Sequence, residues 1–184
     1  MSAEADEADS SGDGTEHVPA GSEPAEPFPT PPRRFGDRED RTLRLGVSHD
    51  SAALSAMYDD FGVADRAQGI PPADPDRRRR WLDRIAQGIE VVAWHGDDAV
   101  GHGVLLAGGP GHELALFVHP EYRGAGVGTA LARTLLGRGR EAGVERVWLS
   151  VRRGNRAAVR LYRRVGFAPT GDAAGELEMT RRLG

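Results

Sequence analysis

The run Arg123-Gly124-Ala125-Gly126-Val127-Gly128-Thr129 limits what this chain can fold into more than any other segment. The apolar stretch Leu114 to Val118 precedes it and reads as a strand, and Thr129 to Leu136 follows with helical spacing. A strand, a glycine-rich turn and a helix start in that order build an anion pocket. The first backbone N–H groups of a helix have no intrahelical partner and carry partial positive charge. Glycine removes the Cβ that would keep a phosphate away from them, so a pyrophosphate fits there.

Three phosphate-binding patterns must be separated. A Walker-type loop ends in Gly-Lys-Ser/Thr, and this chain has no lysine. A dinucleotide fingerprint needs Gly-x-Gly-x-x-Gly after the first strand of its unit, with an acid closing the next strand. Here the glycines recur every second residue in the second half of the chain, and Glu145 falls before the next strand. The third pattern, Arg/Gln-x-x-Gly-x-Gly/Ala, is met by Arg123 to Gly128.

On these residues the chain resembles the GNAT superfamily of N-acetyltransferases. Val118 to Gly128 is similar to that family's acetyl-CoA pyrophosphate loop. A second block, Asn155-Arg-Ala-Ala-Val-Arg-Leu-Tyr162-Arg-Arg-Val-Gly-Phe167, is similar to the family's Asn-x-x-Ala-x-x-Leu-Tyr-x-x-x-Gly-Phe segment. Both stand in the family's order and spacing, over about residues 112 to 170.

The remaining pattern agrees with an α/β fold built on a mixed sheet. Thr42 to Gly46 alternates as a first strand, and two helices follow, capped at Ser48 or Asp50 and at Asp74-Pro75. Ile89–Trp94, Val100–Leu106 and Glu113–Val118 read as strands. A helix from Gly126 to Glu141, a strand at Val147–Val151, a helix from Asn155 and two closing strands complete the order. This gives about seven strands and four helices, the family's arrangement. The resemblance implies that the fourth and fifth strands are parallel and splayed, with pantetheine lying in the gap.

The resemblance also assigns roles. Backbone groups of Leu116, Phe117 and Val118 would pair with pantetheine. Arg123, Gly124, Ala125, Gly126, Val127, Gly128 and Thr129 would hold the pyrophosphate. Asn155 has two compatible readings, helix cap and coenzyme ligand. Tyr162 would act as general acid toward the departing thiolate. Attack needs a neutral amine, so a base must remove a proton. Glu113, three residues before the pantetheine-pairing triplet, is the leading candidate, with His112 behind it. Ser150 stands where another family branch carries a glutamate, which weakens a match to ribosomal-protein N-terminal acetyltransferases.

The implied activity is N-acetylation of a small-molecule or peptide amine by direct transfer from acetyl-CoA in a ternary complex. The chain has no cysteine and no nucleophile-elbow serine to carry an acyl group. A non-catalytic acyl-CoA-binding or sensing module of the same fold is the rival reading. The family also carries homodimerisation as an expectation.

Composition bounds the rest. Residues 1–32 hold eight acids and no arginine and are rich in Ser, Gly and Pro, so residues 1–40 read as a disordered acidic tail and 41–184 as the domain. The remainder is mildly basic, yet no zinc spacing, recognition helix or aromatic-basic alternation points to nucleic acid. No His/carboxylate spacing suggests a metal. No apolar run is long enough to span a membrane and no secretory pattern opens the chain, so a cytoplasmic protein is expected. Glu90, Trp94, His95 and His102 are acceptor-side candidates set against a surface reading, and Arg77 to Arg80 guide an anionic acceptor or the 3′-phosphate of CoA, or form a solvated helix face.

Overall fold

The computed structural model describes residues 27–66 and 70–184. Its elements are β1 (Arg33–Gly36), β2 (Thr42–Gly46), α1 (Ser51–Asp59), α2 (Pro75–Ile85), β3 (Ile89–His95), β4 (Asp98–Gly108), β5 (Gly111–Val118), α3 (Val127–Glu141), β6 (Arg146–Arg152), α4 (Arg156–Arg164), β7 (Ala168–Ala173) and β8 (Glu176–Arg182). Short 3-10 turns lie at Val63–Asp65 and Pro120–Tyr122. One mixed sheet runs β1-β2-β3-β4-β5-β6-β8-β7. The expected fourth and fifth strands are therefore β5 and β6.

Two expectations need correction. The sheet has eight strands rather than seven, because Arg33–Gly36 pairs antiparallel with Thr42–Leu45. For the same reason the domain does not begin at residue 41. Phe28 packs against the main core, with the guanidinium groups of Arg133 and Arg181 over its ring at 5.5 and 4.6 Å. A run of four residues is too short to show alternation, and the acidic composition upstream obscured it. The expected tail over residues 1–26 lies outside the described residues.

Helix starts follow local chemistry. Asp50 caps α1 by accepting from the N–H groups of Ala52 and Ala53, and Asp74 caps α2 by accepting from Arg77, with Pro75 opening the helix. Two cores form, one on each side of the sheet. Leu114, Leu116 and Val118 join the α3/α4 side, whereas Ala115 and Phe117 join the α1/α2 side. Side chains alternate along a strand, so Glu113 shares the α1/α2 side.

The sheet is split where the resemblance implies. β5 and β6 are parallel but pair only at His112↔Val147 and Glu113↔Trp148. Beyond Glu113, β5 is paired on one side only, with β4. The Trp148 indole N–H donates to the Gly108 carbonyl at 3.1 Å and ties the closed end together.

Candidate active site

Which backbone groups face the split follows from register. His119 N–H donates to Val100 C=O at 3.0 Å, and this pair continues the β4–β5 register. In an antiparallel ladder, hydrogen-bonded pairs alternate with non-bonded ones. Phe117 with His102 and Ala115 with Val104 are then bonded pairs, while Leu116 and Val118 direct their backbone groups away from β4. The expected triplet is corrected on this point: Leu116 and Val118 present backbone groups to the gap, and those of Phe117 are committed to β4. The Val118 carbonyl accepts from Arg123 Nε at 3.0 Å, which leaves its N–H and both groups of Leu116 open to the gap.

The glycine turn closes one end of this gap. Gly124 (φ 78°) and Gly126 (φ 96°) occupy the left-handed region, which favours glycine. Gly126 precedes the first turn of α3, where its carbonyl accepts from Thr129 and Ala130 N–H. A Cβ on Gly128 would stand 2.8 Å from Leu161 Cδ1, 3.5 Å from Val118 Cγ2 and 4.0 Å from Leu116 Cδ2. The start of α3, the end of β5 and α4 thus meet at one point.

The segment after β1 braces this turn from behind, a part of the site that sequence reasoning missed. Arg38 N–H donates to the Ala125 carbonyl at 3.0 Å, and Arg38 Nη1 donates to the Gly124 carbonyl at 3.2 Å. Arg41 lies over the Tyr122 ring at 4.1 Å and is held by Asp37 at 2.7 Å. The carbonyl side of the turn is pinned, and its N–H side remains for a ligand. Arg123 is less available than expected. Its guanidinium is paired with Asp65, whose carboxyl it holds below the usual range.

Asn155 caps α4, with its side-chain oxygen accepting from Ala158 N–H at 3.1 Å. Tyr162 sits on the next turns of α4, only 8 % exposed and edge-on to Phe167 at 5.8 Å. Burial pushes its phenol up to about 12. It belongs to the α3/α4 side of the sheet, opposite Glu113. The Glu113 carboxyl, beside the point where the split closes, is raised above its ordinary range by partial desolvation.

The α1/α2 side holds a buried polar chain. Glu90, His102 and Tyr58 are interior, not surface, residues. The Tyr58 hydroxyl lies 2.7 Å from His102 Nδ1, and the Glu90 carboxylate 3.3 Å from His102 Nε2 favours the proton on that nitrogen, which makes Tyr58 the donor. His49 Nδ1 donates to the same carboxylate at 2.9 Å, and its Nε2 accepts from Ser51 at 2.8 Å. Burial alone would raise the Glu90 pKa, but the bonds and charges of His102 and then His49 leave it lowered. His95 instead meets the Tyr122 hydroxyl at 2.8 Å, and His119 meets Asp60 at 2.9 Å. These partners come from separate elements, so sequence spacing carried no signal of them.

A sheet split beside a phosphate-suited turn, with a buried phenol on one side and a carboxyl on the other, has the form of a site for an extended, phosphate-bearing ligand, the class of site that the resemblance implies. Comparison narrows this class. The pattern described as Acetyltransferase (GNAT) family matches residues 54–167, and the chain belongs to that family. The L-methionine sulfoximine/L-methionine sulfone acetyltransferase of Pseudomonas aeruginosa is 29 % identical over 135 residues, 66 % of this chain and 77 % of that protein. The GNAT domain of S. lividans PAT superposes with a TM-score of 0.70 at 16 % identity, covering 82 % of this chain and 96 % of that one. The yncA protein of Salmonella typhimurium, solved with acetyl-CoA, gives 0.63 at 20 % identity over 77 % of this chain and 94 % of that one. The chain is thus an acetyl-transferring enzyme. Among the described residues no helix is long and apolar enough to cross a membrane, and no group of three or more metal-ligating side chains occurs.

Proposed function

We propose that the split holds acetyl-CoA and that the enzyme acetylates a primary amine by direct attack in a ternary complex. The observation that carries this reading is the one-sided pairing of β5 beyond Glu113, which leaves Leu116 and the Val118 N–H without a β6 partner. An unpaired strand edge inside a sheet calls for a hydrogen-bonding ligand. Leu116 and Val118 would pair with the pantetheine arm. Backbone N–H groups from Gly124 to Gly128 would hold the pyrophosphate, the Thr129 N–H being already given to the Gly126 carbonyl, and Asn155 would add a polar contact at the start of α4. Acetyl-CoA supplies the acetyl group as a thioester.

The protein residues then divide the proton chemistry. An ammonium acceptor gives one proton to the Glu113 carboxylate, whose raised pKa makes it a better base. The freed amine forms the C–N bond as the C–S bond breaks, and the electron pair leaves on sulfur. Tyr162 remains a protonated donor at any working pH. An ordinary thiol has a pKa of about 8.5, so complete transfer from a phenol near 12 is uphill by about 3 to 4 units. Hydrogen-bond donation to the developing thiolate is therefore the principal service of Tyr162; the acetylated nitrogen loses its second proton to solvent, and the thiolate takes its final proton from solvent.

Calorimetry with acetyl-CoA, followed by CoA release against an amine panel, tests the reading. Tyr162→Phe should lower kcat by about 100-fold while acetyl-CoA affinity stays near wild type. Absence of acetyl-CoA binding, or equal loss of binding and turnover in the variant, would refute it.

A further inference from the structure

The side of the sheet that carries Glu113 also carries α2, and the roll of this helix is fixed. Arg78, 1 % exposed, donates from Nε to Ser55 Oγ of α1 at 3.1 Å and pairs with Asp59 of α1. Trp81, 6 % exposed, lies edge-on to Phe117 of β5 at 5.7 Å. With α1 held against the Arg78 side, the opposite flank is free. At about 100° per residue, Arg77, Arg80 and Arg84 fall within about 60° of one another on that flank, beyond Trp81. With Trp81 over β5 and the sheet continuing from β5 to β6 in that direction, the flank lies on the β6 side of α2.

These side chains line a groove of about 360 Å³ formed by Pro72, Arg77, Arg80, Trp81 and Arg84, with no acid among its described lining, whereas the cleft of about 550 Å³ beside α1 is lined by Asp60, Asp98 and Glu121 among others.

 Arg78 and Arg79 both have acidic partners, at Asp59 and Asp76. Among the described residues, the side chains of Arg77, Arg80 and Arg84 have none. Three unpaired guanidinium groups around one indole form a receptor for a carboxylate, which arginine grips with two parallel N–H donors.

We infer that this groove holds the anionic end of the acceptor, so that the substrate is a small primary amine bearing a carboxylate. The inference rests on the gap being the acetyl-transfer site. It adds a polarity to that site: the carboxylate lies under α2 and the amine points to Glu113. The exposed arginines set acceptor affinity without touching the reacting atoms, and coenzyme binding does not involve them.

The test compares L-amino acids with their own carboxamides as acceptors, following CoA release at fixed acetyl-CoA. An amide carries the less basic amine and offers more of it in neutral form at pH 7, so a preference for the acid runs against intrinsic reactivity. The acid is expected to have at least a 10-fold higher kcat/KM. In Arg80→Ala/Arg84→Ala, KM for the acid should rise about 10-fold or more, with KM for the amide and for acetyl-CoA unchanged. Equal use of acid and amide, turnover of neutral or cationic amines alone, no turnover of any carboxylate-bearing amine, or an unchanged KM in the variant would each overturn the inference. Failure to bind acetyl-CoA in calorimetry refutes the reading of the gap instead, so the two failures are told apart.

Discussion

Tyr58→Phe isolates one bond of the buried polar chain. The hydroxyl lies 2.7 Å from His102 Nδ1, and both residues are 0 % exposed. The substitution keeps the ring, which stands edge-on to Phe61 at 5.2 Å, Trp81 at 5.5 Å and Phe117 at 5.5 Å. No large cavity forms, so the cost is that of one lost bond and one stranded acceptor. A buried group left unsatisfied costs about 1–3 kcal/mol, and a central value of about 2 kcal/mol is expected. For a domain of this size each kcal/mol lowers Tm by about 2–4 °C, which predicts a fall of about 4–8 °C in thermal unfolding followed by circular dichroism. A double-mutant cycle with His102→Leu should return a coupling of at least about 1 kcal/mol. A Tm change below about 1 °C, or strict additivity in the cycle, would refute the assignment of Tyr58 as donor to a dry imidazole.

Other substitutions probe the site directly. Arg38→Ala removes the guanidinium from the Gly124 carbonyl, and the loss of about 1 kcal/mol should raise KM for acetyl-CoA about 5-fold with little change in kcat. An unchanged KM in steady-state kinetics would show that the brace does not matter. Glu113→Gln should abolish the acid limb of the kcat/KM profile, which in the wild type lies above the range of an ordinary glutamate. Its stability effect has a definite sign. A raised folded-state pKa means that ionisation costs stability as pH rises through that value. The Gln variant should therefore gain in Tm over wild type above that pH and show no such gain in acid. A profile with the same acid limb in both proteins would remove Glu113 as the base.

The parts of the site that were legible in the sequence are those carried by contiguous residues. The glycine turn, the Asn155 cap and the position of Tyr162 on α4 each depend on local spacing, and all three stand where the pattern put them. What escaped depends on distant partners. Phe117 reads as one more apolar strand residue, and only its register against His102 shows that its backbone is already used. Glu90 and His102 alternate like half-exposed strand residues, and the covering helix α1 makes them interior. Arg38 lies in a segment whose upstream composition is acidic and rich in Pro, Gly and Ser, and its side-chain bond to the Gly124 carbonyl spans 86 positions.

The brace behind the glycine turn has a practical consequence for anyone trimming this protein. Composition invites a cut at residue 41, but a chain starting there would lose the whole of β1 and the contacts made by Arg38. β2 would become a bare sheet edge, open to pairing with other copies. The carbonyls of Gly124 and Ala125 would turn to solvent, and the shortened product would handle its nucleotide poorly although every residue of the recognised motif was intact.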